Sequence, residues 1–197
     1  GTSRYSMSVA QNDHDIPEGS GSVQVPESVP PGRYDLAVPG GGGETIRVGA
    51  VHVLASYPTR YTMALVHADV AVASGDTVFS SSLIARIEEA APDLIIEVGR
   101  LTDDGSVVSY DAVANQFASL AAPVFFCPDQ AEFSRGVYVD VFGSADHAFR
   151  YGEDGFLFLG AGLAHADSGH EARIGRIHRW RRVLRPCRWS IGVAGRF

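Results

Sequence analysis

Residues Asp93 to Gly105 read D-L-I-I-E-V-G-R-L-T-D-D-G, an apolar run of strand length that breaks into a polar turn. The run predicts a buried strand, and the aspartates and glycine after it predict a turn that leads into a helix. Arg100 stands at the hinge between the two, where a strand-end site of this kind usually carries a carboxylate.

The same rhythm continues outward on both sides. Y-T-M-A-L-V-H-A at 61–68 predicts a strand, and S-S-S-L-I-A-R-I-E-E-A-A at 80–91 predicts a helix with serine at its start. Pro92 separates that helix from the Asp93 strand. D-D-G-S then caps an amphipathic helix, V-V-S-Y-D-A-V-A-N-Q-F-A-S-L, and P-V-F-F-C-P at 123–128 predicts a third strand. Parallel strands joined by crossover helices bring their carboxyl ends to one edge, where sites in such sheets form.

The flanks have a different texture. Residues 1–16 are polar and aperiodic, as in a flexible tail. From Ser22 short alternating segments follow, S-V-Q-V-P, V-P-P-G-R-Y-D-L-A-V and T-I-R-V-G-A-V-H-V, with Gly40 to Gly43 as a hairpin tip. They predict a small antiparallel, Ig-like β module over 17–57, ahead of an α/β domain over 58–197. After Glu132 the pattern turns β-like again, and A-F-R-Y-G-E-D-G-F-L-F-L predicts a hairpin turning at Gly152 to Gly155. R-I-G-R-I-H-R-W-R-R-V-L-R-P predicts a basic helix ended by Pro186, and W-S-I-G-V a last strand.

Composition narrows the functional classes. With 45% hydrophobic residues in 197, most of the chain folds around a core. A net charge of −7 argues against a general nucleic-acid binder, and no apolar run is long enough to span a bilayer. All sixteen basic residues are arginine. Cys127 and Cys187 lack metal or redox spacing and read as buried thiols, with a single disulfide as the alternative.

The three strand ends, H-A-D-V-A-V (67–72), V-G-R-L-T-D-D-G (98–105) and C-P-D-Q-A-E-F (127–133), resemble in order and spacing the calcineurin-like metallophosphoesterases. Strands of that family end in D-x-H, G-D-x-x-D-x-G and G-N-H-[DE]. R-I-G-R-I-H-R-W-R-R-V-L and W-S-I-G-V-A-G-R-F are similar to a later helix and strand of the family, and V-P-P-G-R-Y-D-L is similar to the β module that some secreted members carry. The fold this implies is α/β, a metallophosphoesterase-like sheet sandwich with flanking helices, left incomplete where the chain ends at Phe197. An extracellular or cell-surface location is part of the same resemblance.

Residue by residue, the resemblance covers the scaffold and fails at the metal. Asp69 matches the D of D-x-H, but Ala71 stands at the histidine. Arg100 stands at the metal-bridging aspartate, with Asp103 kept nearby. Gln130 and Ala131 replace asparagine and the catalytic histidine, which leaves Glu132 as the acidic position. A guanidinium about 4 Å from a divalent ion costs about 8 kcal/mol of repulsion at an effective dielectric near 20. The implied protein is a catalytically inactive relative with no metal cofactor and a structural, binding or self-assembly role. Its partner would be a second copy or another protein, held through an uncovered sheet edge. The alternative is a phosphatase or phosphodiesterase with an altered or engineered site, in which Asp69, Asp103 and Glu132 hold two divalent ions such as manganese, iron or zinc.

Arg100 itself has three readings: a pair with Asp69 or Asp103, exposure to solvent, or capture of a phosphate or other anion. His52 and His67 read as packed or edge residues. His165, Asp167, His170 and Glu171 share one loop, where polarity is the simpler account than a metal. The cluster of Arg173, Arg176, Arg179, Arg181, Arg182, Arg185 and Arg188 suits contact with an acidic surface, either the chain's own or that of a copy.

Overall fold

The computed structural model describes residues 4–10, 22–40, 42–56, 58–69, 79–129, 132, 137–143, 145–159 and 189–194. The chain divides into two compact units, with the break between Ser56 and Tyr57.

The first unit holds β1 (Ser8–Ala10), β2 (Ser22–Gln24), β3 (Gly32–Gly40) and β4 (Gly43–Val53). β1 pairs with β2 and β3 with β4, each antiparallel, and Gly40 pairs with Gly43 where the longer hairpin closes. Part of the segment expected as a tail is thus a strand. Ahead of it, Arg4 reaches Glu44 at 3.2 Å and the Tyr5 ring meets Tyr34 edge to face, contacts between distant parts of the sequence that local polarity does not encode.

The second unit contains β5 (Met63–Asp69), α1 (Ser81–Ala90), β6 (Leu94–Arg100), α2 (Val107–Ala118), β7 (Val124–Pro128), α3 (Val137–Phe142), β8 (His147–Tyr151), β9 (Asp154–Leu159) and β10 (Trp189–Ala194). β5, β6 and β7 form a parallel sheet with β6 in the middle. β8, β9 and β10 form a second sheet with β9 in the middle, β10 parallel and β8 antiparallel to it. The class is mixed α/β.

β6 carries the core because it is buried on both faces. Ile95 joins Val66, Phe79, Ile87, Tyr110, Val113 and Phe117, which places the helices over one face of the sheet. Leu94 and Ile96, which point the other way, join Cys127, Phe156 and Phe158, so the second sheet covers the opposite face. At that sheet interface Phe125 stacks on Phe149 at 3.8 Å between ring centroids.

Local chemistry sets the helix limits. The Ser80 side chain accepts the Leu83 N–H at 3.3 Å to start α1, and Ser106 accepts the Ser109 N–H at 3.2 Å to start α2. On α2 Ser109, Tyr110, Val113 and Phe117 are buried at helical spacing. α1 ends at Ala91, which takes a left-handed conformation with φ 43° and ψ 55° before Pro92.

Two expectations need correction here. V-Y-V-D-V-F, in the part read as β-like, is the helix α3. A helix brings Tyr138 and Phe142 onto one face against Tyr110, at 6.0 and 5.7 Å between centroids, and this packing overrides the β-branched composition. The β8–β9 hairpin turns over Gly152 and Glu153 alone, because Tyr151 already pairs with Asp154. Gly152 has φ 59°, and a Cβ there would strike the Pro58 carbonyl. Beside the turn, the Tyr61 hydroxyl donates to Asp154 Oδ2 at 2.7 Å and the Tyr151 hydroxyl to the Asp93 carbonyl at 3.0 Å.

These backbone constraints give opposite outcomes for two substitutions. Gly152→Ala should cost about 2 kcal/mol or more in urea unfolding, from left-handed strain and the Pro58 contact together. Ala91→Gly should raise stability or leave it unchanged, because it relieves the left-handed cap.

Candidate functional site

The carboxyl ends of β5, β6 and β7 lie side by side. Asp69 is the cross-strand partner of Arg100, Gly99 is the partner of Pro128, and the Asp129 N–H donates back to the Gly99 carbonyl at 3.3 Å. The backbone thus gathers Asp69, Arg100 and the segment after β7 at one edge. The Asp69 side chain, Ala71, Gln130 and Ala131 lie outside the described residues, as do the His165 to Glu171 loop, the arginine cluster from Arg173 to Arg188, and Cys187.

Arg100 turns back on its own loop. Its guanidinium pairs with Asp103 at 2.5 Å, and its Nε donates to the Thr102 carbonyl at 3.3 Å. Both side chains are a little over one-third exposed. Of the partners that the sequence left open, the structure therefore gives Arg100 Asp103.

Glu132 does something the motif alone does not reveal. It is 1% exposed, and its Oε1 accepts the backbone N–H groups of Leu101 at 2.7 Å and Thr102 at 2.6 Å. The Thr102 hydroxyl lies 3.3 Å from the same oxygen, while Glu132 Oε2 is buried with no hydrogen-bond partner among the described residues. Asp129 accepts the Glu132 N–H at 3.1 Å and fixes the segment from which the carboxyl hangs. The turn closes further on: Thr102 Oγ1 accepts the Gly105 N–H at 3.1 Å and Asp104 accepts the Ser106 N–H at 3.0 Å. The Ser106 bond is the main reason that Asp104 titrates below its usual range, with Ser109 adding to it.

Burial dominates the electrostatics beneath this edge. Desolvation pushes Glu132 up to about 8 despite its backbone donors, and Asp129 adds to the rise. Glu97, fully buried on β6, was not singled out from the sequence, although an acid inside the I-I-E-V run is the signal that marks it. Burial, then the charges of Glu132 and Glu97, raise the Tyr138 phenol well above its ordinary value. The buried Cys127 thiol is raised to about 11 by desolvation and then by Glu97, which suits packing rather than reactivity.

Asp103 is committed to a cation, Glu132 faces the protein interior, and among the described residues no three His, Cys, Asp or Glu side chains are grouped to hold a metal. His67 is exposed on β5, and His52 is half-buried on β4 in the first unit. No protein-family model, curated protein or solved structure matches the chain. No helix among the described residues is long and apolar enough to cross a membrane.

The Glu132 carboxyl binds its proton more tightly in the folded chain than at its ordinary value of 4.5, so its contribution to stability is full below 4.5 and is lost as the pH rises through about 8. Urea unfolding across that window should show stability falling by at most about 1.4 kcal/mol per pH unit from this group. Glu132→Gln should flatten the slope. Glu132→Ala should cost about 2 to 3 kcal/mol by leaving buried N–H groups without an acceptor.

Proposed function

We propose that this chain is a metallophosphoesterase-like scaffold that lacks the family's paired-metal chemistry and serves as a binding or self-assembling subunit. The observation that carries the reading is the Arg100–Asp103 pair at the end of the central strand. A fixed positive charge there repels divalent ions and occupies one of the few carboxylates left in the resembling motif. Glu132 adds support, since its carboxyl satisfies backbone donors inside the protein. A stable fold without its ancestral chemistry is physically reasonable, because packing and site chemistry reside in different side chains.

Self-assembly draws support from β5. It is an outer strand of the described parallel sheet, and it exposes Met63 at 42% and Leu65 at 66%. From Met63 to Val66 the strand carries no charge or proline, the features that usually protect an edge from pairing. We therefore propose β5 as the face through which copies of the chain associate.

With manganese present, the chain should hydrolyse a generic aryl phosphate no faster than buffer. Turnover that Asp69→Ala abolishes would establish the altered enzyme instead. Light scattering at micromolar concentration should show an oligomer, and Leu65→Arg should shift it toward monomer. A monodisperse wild-type monomer would remove the self-assembly role while leaving the metal reading intact.

A further inference from the structure

The β3–β4 hairpin contains a cluster that the strand-end site does not use. Arg33 and His52 are direct partners in its register, which places two basic side chains opposite each other on one face of the ladder. Between Tyr34 and Leu36 the register slips, because Asp35 faces a bulge in β4 at Gly49, where φ is 60°. Asp35 Oδ1 accepts the Gly49 N–H at 2.7 Å. A side chain at Gly49 would run into the Arg33 guanidinium, which therefore lies directly over the bulge, and the imidazole of His52 is hydrogen-bonded to the Gly49 backbone. Three ionisable side chains thus converge on one glycine.

We propose that this bulge is an acid-sensitive joint, in which protonation of His52 beside Arg33 loosens the β3–β4 pairing as the pH falls below neutrality. A second positive charge on the same face meets the permanent one on Arg33 in a half-buried setting, where water screens it less than on an open surface. Asp35, the carboxylate facing this region from β3, accepts the Gly49 N–H through Oδ1 and keeps its negative charge, which offsets part of the Arg33 field. Glu44, the acid described on β4, lies at the far end of that strand and is held by Arg4.

The direction of titration agrees with this geometry. Burial first, and then Arg33, hold His52 below its ordinary value of 6.5 and outweigh the Gly49 bond. The opened hairpin takes up the proton more readily than the closed one. Stability from this group is therefore full above 6.5 and is lost as the pH falls below it. That sign is opposite to the one for Glu132, so a readout local to the first unit separates the two.

Hydrogen exchange of the full chain at about pH 7.5 and about pH 5.5, corrected for intrinsic rates, tests the proposal. Amides of β3 and β4 should lose protection by up to about tenfold per pH unit, the limit for one linked proton. His52→Gln should abolish this loss and Arg33→Gln should make it shallower. Equal loss of protection in wild type and His52→Gln would overturn the joint. If His52→Gln does not fold, an NMR titration of the His52 ring in the wild-type chain decides: a midpoint below 6.5 supports the proposal, and one at or above 6.5 overturns it.

Discussion

One buried carboxyl oxygen organises the carboxyl edge of the parallel sheet. Glu132 Oε1 takes the N–H groups of the two residues that follow β6, and nothing else described is placed to accept them there. β6 is the middle strand and is packed on both faces, so the direction of its exit fixes the Arg100–Gly105 turn and, through the Ser106 cap, the start of α2. Burying an acid this deeply costs free energy, as its rise to about 8 records. The compensation is local, since two backbone donors that would otherwise be stranded in the interior are satisfied.

The same contact shapes the chemistry of the edge. A carboxyl turned inward toward backbone donors is not presented outward to an ion or substrate. Arg100 and Asp103 add to the effect, because the guanidinium at the turn pairs with that carboxylate. The result is a strand end ordered by hydrogen bonds, with Arg100 and Asp103 paired. Under the proposed function, interactions fall to the outer strands and to the first unit.

Much of the second unit was legible from the sequence because its signals are local. Ser80, Ser106 and Pro92 mark helix limits by their own hydrogen-bonding and steric properties, and the D-L-I-I-E-V run marks a strand by its apolar continuity. α3 was not legible. V-Y-V-D-V-F has the composition of a strand, and packing against the Tyr110 and Phe126 rings, from α2 and β7, favours the helical form. β1 was missed for a related reason: three residues carry no period, and their pairing with β2 is a tertiary choice. At the site, the sequence identified the unusual arginine but left its partner open, and it gave no hint that Glu132 would face Leu101 and Thr102, because side-chain direction depends on how two loops meet.

The central proposal is electrostatic: a strand end whose Arg100 pairs with Asp103 and whose Glu132 is turned toward backbone donors does not retain two divalent ions. Calorimetric titration with manganese, run on the wild-type chain beside the triple variant Arg100→Asp, Ala71→His and Ala131→His, measures this directly. The account predicts no stoichiometric binding by wild type and recovered binding by the variant. Saturable uptake of two ions by the wild-type chain would contradict it.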